Sequence, residues 1–515
     1  MANQDLFTST VSNKKNLTLN EAGGVAYKLS NEQALVQYTI TGCFNGTFYS
    51  TPQDQLNMLL DLCKKVSPKF VAQTALYCRE RAYMKDAPAF LCAYLASNGH
   101  TELLSKVFDK VINNGKMLRN FVQIMRSGVT GRKSLGSASK RLVQTWFKNR
   151  TAETIFKNSI GNSPSLVDVI KLAHPKPDNK AKEALYGYML DKEYSQDALP
   201  QLVKDFENYK KNQSGKVPNV PFQMLTALNL DSNAWTQIAR NVSWQTLRMN
   251  LNTFNRHGVF KNKEVTGELA IKLANTSEVL NAKVFPYQLL TTFLNTEQAP
   301  DVVRLALQDA VEVAVQNVPA YNGKVYVCVD VSGSMRSPVT GNRGSVTTKV
   351  SCVHVAALVA AAVLRKNPSA RIIPFERGVV NIKLNPRDSI MTNANALANI
   401  CGGGTNCSAP LALLNSENAE GDLVIYVSDN ESWVDSVYKN NTAMQKEWAA
   451  FKGRNKNAKL VCIDIQPSGT AQVLDNKSIL NVGGFSDEVF NVINDFLEGN
   501  LDSQHLVGVI KNLEL

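Results

Sequence analysis

Residues 325–338, VYVCVDVSGSMRSP, begin as an apolar strand and end in a polar loop. The valine-rich start is typical of a strand buried on both faces of a parallel sheet. The loop then places Asp330, Ser332 and Ser334 at alternate positions, and Gly333 lets the backbone turn closely around them. Hard oxygen donors directed to one point are typical of a cation site. The stretch therefore predicts a buried strand that ends in a candidate metal site.

Short strands alternate with helices after about residue 320. Runs rich in Val and Ile predict four strands, and an apolar helix is predicted between the first two of them, at 346–366. This alternation favours a doubly wound parallel sheet, whose ligands bind at the carboxyl ends of the strands. We therefore expect an α/β domain over residues 321–515. The predicted strands are 324–330, 370–375, 422–429 and 458–465.

Two later segments complete the candidate metal site. The glycine-rich loop GGGTNC (402–407) offers the Thr405 hydroxyl, and VSDNES (427–432) places Asp429 at the end of a strand. Two carboxylates with three hydroxyls suit Mg²⁺ better than Ca²⁺ or a thiol-seeking metal. For Glu431 two alternatives stay open, a role beside the ligands and an exposed loop carboxylate. The predicted ligands are Asp330, Ser332, Ser334, Thr405 and Asp429.

The first 320 residues are predicted to be helical. In ELLSKVFDKVI (102–112) the apolar residues form one continuous stripe of a helix. Similar stripes recur at irregular spacing and are separated by short Gly, Pro, Asn or Ser turns, which favours a HEAT-like array of helical repeats. The other stripes are 54–65, 68–83, 87–98, 198–211, 244–258 and 283–295.

The positive charge lies almost entirely in this helical part. Residues 1–300 carry 37 Lys and Arg against 23 Asp and Glu, whereas residues 301–515 carry 19 against 21. The excess is greatest at 101–150, with 11 basic and 2 acidic residues. Such asymmetry is what a polyanion-binding surface requires, because each neutralised phosphate releases condensed counterions. A solvated lysine-rich helical face is the alternative.

The segment 125–150 combines a Gly/Ser loop with a basic helix. Four apolar side chains of the helix are predicted to face inward: Leu142, Val143, Trp146 and Phe147. Its charges then point elsewhere, and the glycine-rich loop lets backbone amides and guanidinium groups approach phosphates closely. Trp146 is expected in the core, with base stacking as the alternative. The candidate phosphate contacts are Arg126, Arg132, Lys133, Lys140 and Arg141.

Several classes of function are disfavoured. The N-terminus has no apolar core of a signal peptide and no run of about 18 apolar residues is present, so a cytoplasmic protein without membrane contact is expected. Nine cysteines without a C-x-x-C pair predict reduced, buried thiols. No nucleotide-binding, serine-hydrolase or zinc-protease motif is present, so we expect a protein that is not an enzyme.

Several stretches resemble the Ro ribonucleoprotein family. ALVQYTITGCFNGTFYS (34–50), RERAYMKDAPAFLCAYLA (79–96), RSGVTGRKSLGSASKRLVQTWF (126–147) and KLAHPKP (171–177) are similar to its TROVE module. The later oxygen-donor pattern is similar to the metal-ion-dependent adhesion site of von Willebrand factor A domains. The resemblance covers nearly the whole chain and implies a bacterial or viral member, with a TROVE-like domain over residues 1–320.

The resemblance implies a ring of HEAT-like repeats with a basic hole, followed by the von Willebrand A domain. It implies binding of a Y-like RNA and of single-stranded 3′ ends of misfolded RNA in RNA quality control, a 3′ to 5′ exoribonuclease as partner, and a monomer. Lys157 and His174 match RNA-contacting positions. Gly161 stands where animal relatives tend to carry arginine, so a changed outer Y RNA contact is expected.

Two other functions stay open at this point. One is a Mg²⁺-dependent interaction module whose basic helices hold an acidic protein partner and not RNA. The other is a metal-dependent phosphodiesterase, which would ordinarily need more carboxylates than Asp330 and Asp429.

Overall fold

The computed structural model describes residues 17–284, 286–316, 318–344, 349–435, 441–484, 486, 488–501 and 504–515. The strands are β1 (Leu17–Leu19), β2 (Val25–Lys28), β3 (Val325–Asp330), β4 (Arg371–Phe375), β5 (Leu423–Ser428), β6 (Lys459–Asp464), β7 (Thr470–Ala471) and β8 (Ile479–Gly483). The helices of the first half are α1 (Asn31–Thr41), α2 (Pro52–Lys65), α3 (Pro68–Glu80), α4 (Asp86–Ser97), α5 (Thr101–Val111), α6 (Gly115–Ser127), α7 (Gly136–Lys148), α8 (Ala152–Lys157), α9 (Leu166–Ala173), α10 (Lys180–Leu190), α11 (Gln201–Asn212) and α12 (Ser232–Asn241). The remaining helices are α13 (Trp244–Met249), α14 (Leu251–Arg256), α15 (Lys263–Ala274), α16 (Thr276–Ala282), α17 (Pro286–Asn295), α18 (Asp301–Ala314), α19 (Cys352–Lys366), α20 (Ile390–Ala398), α21 (Ala409–Ser416), α22 (Ala443–Arg454), α23 (Glu488–Glu498) and α24 (His505–Lys511).

The chain divides into two compact units. The helical unit comprises residues 71–284 and 292–310, whereas the α/β unit combines residues 1–70, 285–291 and 311–514. The first helices of the chain therefore belong to the same unit as the parallel sheet, although the sequence pattern groups them with the helical array. The predicted domain boundary at residue 320 stays a prediction.

The helical unit is built from amphipathic helices whose apolar stripes are buried. In α5 the buried residues Leu104, Val107, Phe108 and Val111 recur at helical spacing. Trp146 of α7 is in the core, where its indole Nε1 donates to the Ile112 carbonyl over 2.7 Å. This hydrogen bond satisfies the one polar group of a large buried side chain. The prediction that Trp146 packs in the core is confirmed.

The α/β unit contains a parallel sheet of five strands in the order β4-β3-β5-β6-β8. In chain order this arrangement is 2-1-3-4-5, so the connections run in opposite directions on the two sides of β3. The strands β3 and β5 are buried at every position, because helices cover both faces of the sheet. Ligands bind such sheets where the strand order reverses, which is the gap between the carboxyl ends of β3 and β5.

A smaller antiparallel sheet joins the start of the chain to the α/β unit. Its order is β1-β2-β7, and Tyr27 of β2 pairs with Ala471 of β7. Helix α1 follows and packs against β8, where Gly483 leaves the space that Gln37 occupies. The α/β unit thus includes elements from both ends of the sequence.

The predicted fold class, a helix-rich region followed by an α/β domain with a parallel sheet, is confirmed. Two helices differ from their predictions. The stripe at 244–258 forms two helices, α13 and α14, that meet at Asn250. Helix α19 begins at Cys352, because Ser351 and the His354 ring cap its first turn, so residues 349–351 of the predicted helix 346–366 precede it; residues 346–348 lie outside the described residues. None of the helices formed by the described residues is long and apolar enough to cross a bilayer. Closure of the helical repeats into a ring stays a prediction.

Replacing Leu460 of β6 with alanine should lower the free energy of unfolding by about 3 kcal/mol, because its side chain is fully buried between helices and sheet. Guanidinium unfolding followed by tryptophan fluorescence measures the change. Leu19→Ala is the matched control, since Leu19 is 63% exposed and should change stability by less than about 0.5 kcal/mol. Equal effects of the two substitutions would contradict the assigned core.

Candidate metal centre and basic surface

The candidate metal centre lies at the gap between β3 and β5. Asp330 is the last residue of β3, and Asp429 directly follows β5. The two strands pair in parallel with Val329 opposite Val427, so their ends lie side by side. Both aspartates are buried, with 0% and 3% exposure. The topology of the sheet therefore places two carboxylates next to each other inside the protein.

The loop after β3 directs its oxygen atoms to this point. The Asp330 Oδ1 accepts from the Ser332 backbone N–H over 2.8 Å, and its Oδ2 accepts from the Ser428 hydroxyl over 2.6 Å. A short 3₁₀ turn at Gly333–Arg336 then brings the Ser334 hydroxyl to 3.2 Å from that of Ser332. Both serines are buried, so the hydroxyls face the aspartates and not solvent.

The glycine-rich loop lies against the same turn. The Gly333 N–H donates to the Gly403 carbonyl over 2.9 Å. Gly403 has a φ of +72°, and a Cβ there would overlap the Glu376 carboxylate, so this position requires glycine. The Thr405 carbonyl accepts from the backbone of Trp433 at 3.2 Å, which ties this loop to the one that follows β5. Thr405 itself is 1% exposed.

The structure thus brings all five predicted ligands to one edge of the sheet. The hydroxyls of Ser332 and Ser334 are in mutual contact and Asp330 is hydrogen-bonded to this loop, while Thr405 is buried in the neighbouring loop. Their assignment as ligands stays a prediction. Glu431 is 2% exposed, so the alternative of an exposed loop carboxylate is wrong.

The buried carboxylates of the centre would be stabilised by a positive charge. Burial, and then repulsion from Asp429, raise the pKa of Asp330, while burial raises the pKa of Asp429. Burial, and then Asp429, raise the pKa of Glu431 to about 8. In the described part of the chain no lysine or arginine forms an ion pair with any of the three. Buried carboxylates without a counter-charge are expected to be protonated or to bind a cation.

The donor set fits a hard divalent cation. Nearby Cys352 and Cys407 have pKa values raised by burial, so they remain neutral thiols and poor ligands. Among the described residues, no three His, Cys, Asp or Glu side chains are grouped so that they could hold a metal ion. A cation bound by the two aspartates would therefore need hydroxyls and water to complete its coordination, which is the pattern that Mg²⁺ tolerates.

Sequence patterns did not identify three further residues at this centre. Ser428 holds Asp330, and it could have been found because it precedes Asp429 in the predicted strand. Glu21 and Tyr49 line the same pocket as Ser334 and Asp429. No sequence signal pointed to them, because about 400 residues separate them from the loop after β5.

The basic side chains predicted to bind RNA all lie in the helical unit. Helix α9 packs against both α6 and α7. Arg126 is in the last turn of α6 and contributes to the lowered pKa of Asp168 in α9, which is due mainly to hydrogen bonds from Ser165. His174 caps the end of α9 in a left-handed conformation, where Gln144 of α7 donates to the Ala173 carbonyl over 2.7 Å. Lys140 lies one turn before Gln144 on the same face of α7.

The loop between α6 and α7 is folded back on itself. The side chains of Lys133 and Arg132 pack over Gly128 and Gly136, respectively. Thr130 is buried and its hydroxyl lies 2.7 Å from that of Ser97, which anchors the loop to α4. The Lys133 stem and the Arg132 guanidinium are therefore held against the loop, while both residues remain exposed.

Lys157 is not brought to this group. It ends α8, and the next residue, Asn158, accepts through Oδ1 from the Gly115 N–H at the start of α6. Arg126 lies at the other end of α6, about 17 Å away along the helix axis. The Arg119 guanidinium, from the same helix, lies against Gly161, where a Cβ would approach Nη1 to 2.3 Å. Sequence patterns did not single out Arg119.

The predicted RNA contacts differ from other cations of the same unit. Arg150 pairs with Asp109 at 2.8 Å and Lys182 with Asp178 at 2.9 Å, so both serve the fold. No described carboxylate forms an ion pair with any of the predicted contacts, and all are exposed except Lys140 and Lys157, which are half-buried. The predicted contacts, hereafter the basic set, are Arg126, Arg132, Lys133, Lys140, Arg141, Lys157 and His174.

In the presence of a chelator, stability should fall as the pH rises from about 4 to about 7. The pKa of Asp330 is raised from 3.8 to about 7, so the folded state binds a proton that the unfolded chain has released. The slope should be at most about 1.4 kcal/mol per pH unit. Calorimetry should show that Asp330→Asn loses this component, whereas Asp388→Asn, at an exposed position, retains it. Parallel stability curves for wild type and Asp330→Asn would contradict the buried carboxylate pair.

Known proteins resemble this chain both in the α/β unit and over nearly its full length. Residues 324–497 match the family model described as the Ro60 vWA domain. The chain is 23% identical to the RNA-binding protein RO60 of Deinococcus radiodurans over 94% of this chain and 95% of that protein. It is 21% identical to the RNA-binding protein RO60 of Caenorhabditis elegans over 45% of this chain and 36% of that protein. The crystal structure of the Deinococcus radiodurans Ro (RSR) protein has the same fold, with a TM-score of 0.62 and 20% identity over 92% of this chain and all of that one. Residues 324–497 thus match the von Willebrand A domain of the Ro60 type, and the chain as a whole is similar in sequence to an RNA-binding protein named RO60 over nearly its full length.

Proposed function

We propose that this protein binds RNA through the basic set and acts in a ribonucleoprotein. The observation that carries the proposal is a group of cations on adjacent helices that no described carboxylate neutralises. Unpaired arginine and lysine side chains can bind phosphates without first breaking an internal ion pair. The relatives from Deinococcus radiodurans and Caenorhabditis elegans are named RNA-binding proteins, which supports the same conclusion.

The preferred ligands are a Y-like RNA and the single-stranded 3′ ends of misfolded RNA, in RNA quality control. Trp146 is buried, so it is unsuited to stacking on a base, and the basic set offers mostly phosphate contacts. Binding of this kind is weakly sequence-selective and strongly salt-dependent. A protein that delivers such ends would work with a 3′ to 5′ exoribonuclease and would have no catalytic role of its own.

Arg119 is relevant to the Y RNA contact. Gly161 itself offers no side chain, but the Arg119 guanidinium lies directly over it. Arg119 is half-buried, and its Nε has no hydrogen-bond partner among the described residues. We therefore propose that a guanidinium is retained near this position and is supplied by α6.

For the α/β unit we propose a Mg²⁺ site at Asp330, Ser332, Ser334, Thr405 and Asp429. The carrying observation is the adjoining pair of buried carboxylates without a positive partner in the described structure. Bound Mg²⁺ would supply the compensating charge and a coordination position for a further oxygen. The side chains of Ser332 and Ser428 hold the Asp330 loop in place through hydrogen bonds.

An acidic protein partner for the basic set is the second candidate. The same unpaired cations favour this candidate, so a competition experiment between RNA and an acidic peptide would distinguish the two. Purified protein that carries nucleic acid, and binding of an acidic peptide that RNA displaces, would support RNA as the ligand. Loss of RNA integrity in Mg²⁺ that Asp330→Ala abolishes would instead indicate a phosphodiesterase.

Lys140→Glu combined with Arg141→Glu should weaken RNA binding at least tenfold at low salt, because two phosphate contacts become repulsive. The slope of log K against log salt should fall by about 1.4, since each contact to a single strand contributes about 0.7. Fluorescence anisotropy over a salt series measures both quantities. The control is Lys64→Glu with Lys65→Glu, an exposed pair at the end of α2 with the same change in charge. An equal effect of the control pair would attribute binding to net charge alone.

The protein should distinguish two RNAs that share one hairpin but differ at the 3′ end. The RNA with a single-stranded 3′ extension should bind more tightly than the blunt RNA, because an unpaired strand can follow cations that are distributed along α6 and α7. Equal affinity at every salt concentration would contradict the preference for 3′ ends and would favour a duplex-binding surface.

A further inference from the structure

The first described residues of the chain reach the open side of the candidate metal centre. Glu21 and Tyr49 line one small pocket together with Ser334, Asp429 and Glu431. Ser334 and Asp429 are predicted metal ligands, whereas Glu21 and Tyr49 come from the N-terminal segment, defined here as residues 17–49. All belong to the α/β unit.

Residues 20–24 are held against the loop that follows β5 by hydrogen bonds and close backbone packing. The Asn20 Nδ2 donates to the Ser432 carbonyl over 2.7 Å, and the Ala22 N–H donates to the Glu431 Oε2 over 3.2 Å. A Cβ at Gly24 would lie 1.9 Å from the Ser432 carbonyl oxygen, so only glycine permits this approach. The turn that carries Glu21 is therefore fixed from both sides against the residues just beyond Asp429.

Residues 45 and 46 are hydrogen-bonded to residues 340 and 342, which follow the Asp330 loop in the chain. The Asn45 Nδ2 donates to the Thr340 carbonyl over 2.7 Å, and the Asn342 N–H donates to the Gly46 carbonyl over 2.8 Å. These bonds place Tyr49 in the pocket beside Ser334. The N-terminal segment thus covers the centre with one carboxylate and one phenol from the same chain.

Glu21 is chemically suited to the remaining coordination position. It is an acidic side chain that shares its pocket with oxygen donors, and no described lysine or arginine forms an ion pair with it. Glu431, the other glutamate of the pocket, is buried and already accepts from the Ala22 N–H and from the Ser468 hydroxyl, whereas Glu21 is exposed. Glu21 is therefore the carboxylate that a cation at this centre would most readily recruit.

We propose that Glu21 completes the magnesium centre from within the chain through a bound water, and so lies where an acidic partner would otherwise approach the metal. The inference rests on the proposed Mg²⁺ site and adds its regulation. An external carboxylate can reach the metal only by displacing Glu21 and the turn that carries it.

Isothermal titration of Mg²⁺ into the full-length protein tests the inference. Glu21→Gln should lower the affinity about tenfold, as expected for the loss of one interaction near a metal. Acetate should restore part of that affinity in Glu21→Gln but have no effect on wild type, because the freed position accepts an external carboxylate. Glu32→Gln is the matched control, since Glu32 lies in the same segment but pairs with Lys511 at 2.7 Å.

Hydrogen exchange of the wild-type protein gives a test without a substitution. Mg²⁺ should slow exchange of the amides of Ala22, Gly23 and Gly24 but leave those of α1 unchanged. Absence of Mg²⁺ binding to wild type would overturn the magnesium site and the inference with it. Equal Mg²⁺ affinity of wild type and Glu21→Gln, with exchange at 22–24 independent of Mg²⁺, would overturn the inference alone.

Discussion

The α/β unit depends on one electrostatic constraint, the placement of Asp330 and Asp429 side by side in the interior. Parallel pairing of β3 and β5 makes the contact unavoidable, because the two carboxylates follow neighbouring strand ends. At an effective dielectric constant of about 20, two like charges about 4 Å apart repel by roughly 4 kcal/mol. The features around the pair relieve this repulsion: hydrogen bonds from Ser332 and Ser428 to Asp330, raised carboxyl pKa values and an oxygen donor set for a cation.

The helical unit differs from this centre in the sign of its charge, because it carries an excess of lysine and arginine. Part of that charge is neutralised internally, as in the Arg150 and Lys182 ion pairs, and Arg150 also stacks 4.0 Å from the Trp146 ring. The basic set has no such ion pairs with the described carboxylates. Because an exposed ion pair contributes at most about 1 kcal/mol to stability, leaving these cations unpaired has little effect on folding but keeps them available for phosphates.

Local patterns in the sequence are sufficient for four strands of the parallel sheet and for the core of the candidate centre, but they did not identify β1, β2, β7 and β8. Valine-rich runs predict β3–β6 to within about one residue, and the rule that ligands bind at the carboxyl ends of parallel strands places Asp330 and Asp429 at one edge of the sheet. The apolar pattern wrongly includes residues 349–351 in α19, since hydrophobicity does not report the Ser351 cap. Contacts between distant segments are invisible to such patterns. Glu21 beside Glu431, and Arg119 over Gly161, are set by tertiary packing and leave no periodic signal.

The position of Glu21 is fixed mainly by the burial of apolar side chains in helix α1, which follows Glu21 in the chain, and less by the polar contacts of its own turn. Closing a flexible loop of about 400 residues costs only about 0.6 kcal/mol more for each doubling of length. Helix α1 buries Leu35, Val36, Tyr38 and Ile40 against the α/β unit, and each such side chain contributes about 1.5–3 kcal/mol. This burial outweighs the closure entropy and the single hydrogen bonds at Asn20 and Ala22, which contribute about 1 kcal/mol each. The turn is therefore already in place before a cation arrives, so recruitment of Glu21 requires little ordering of the chain.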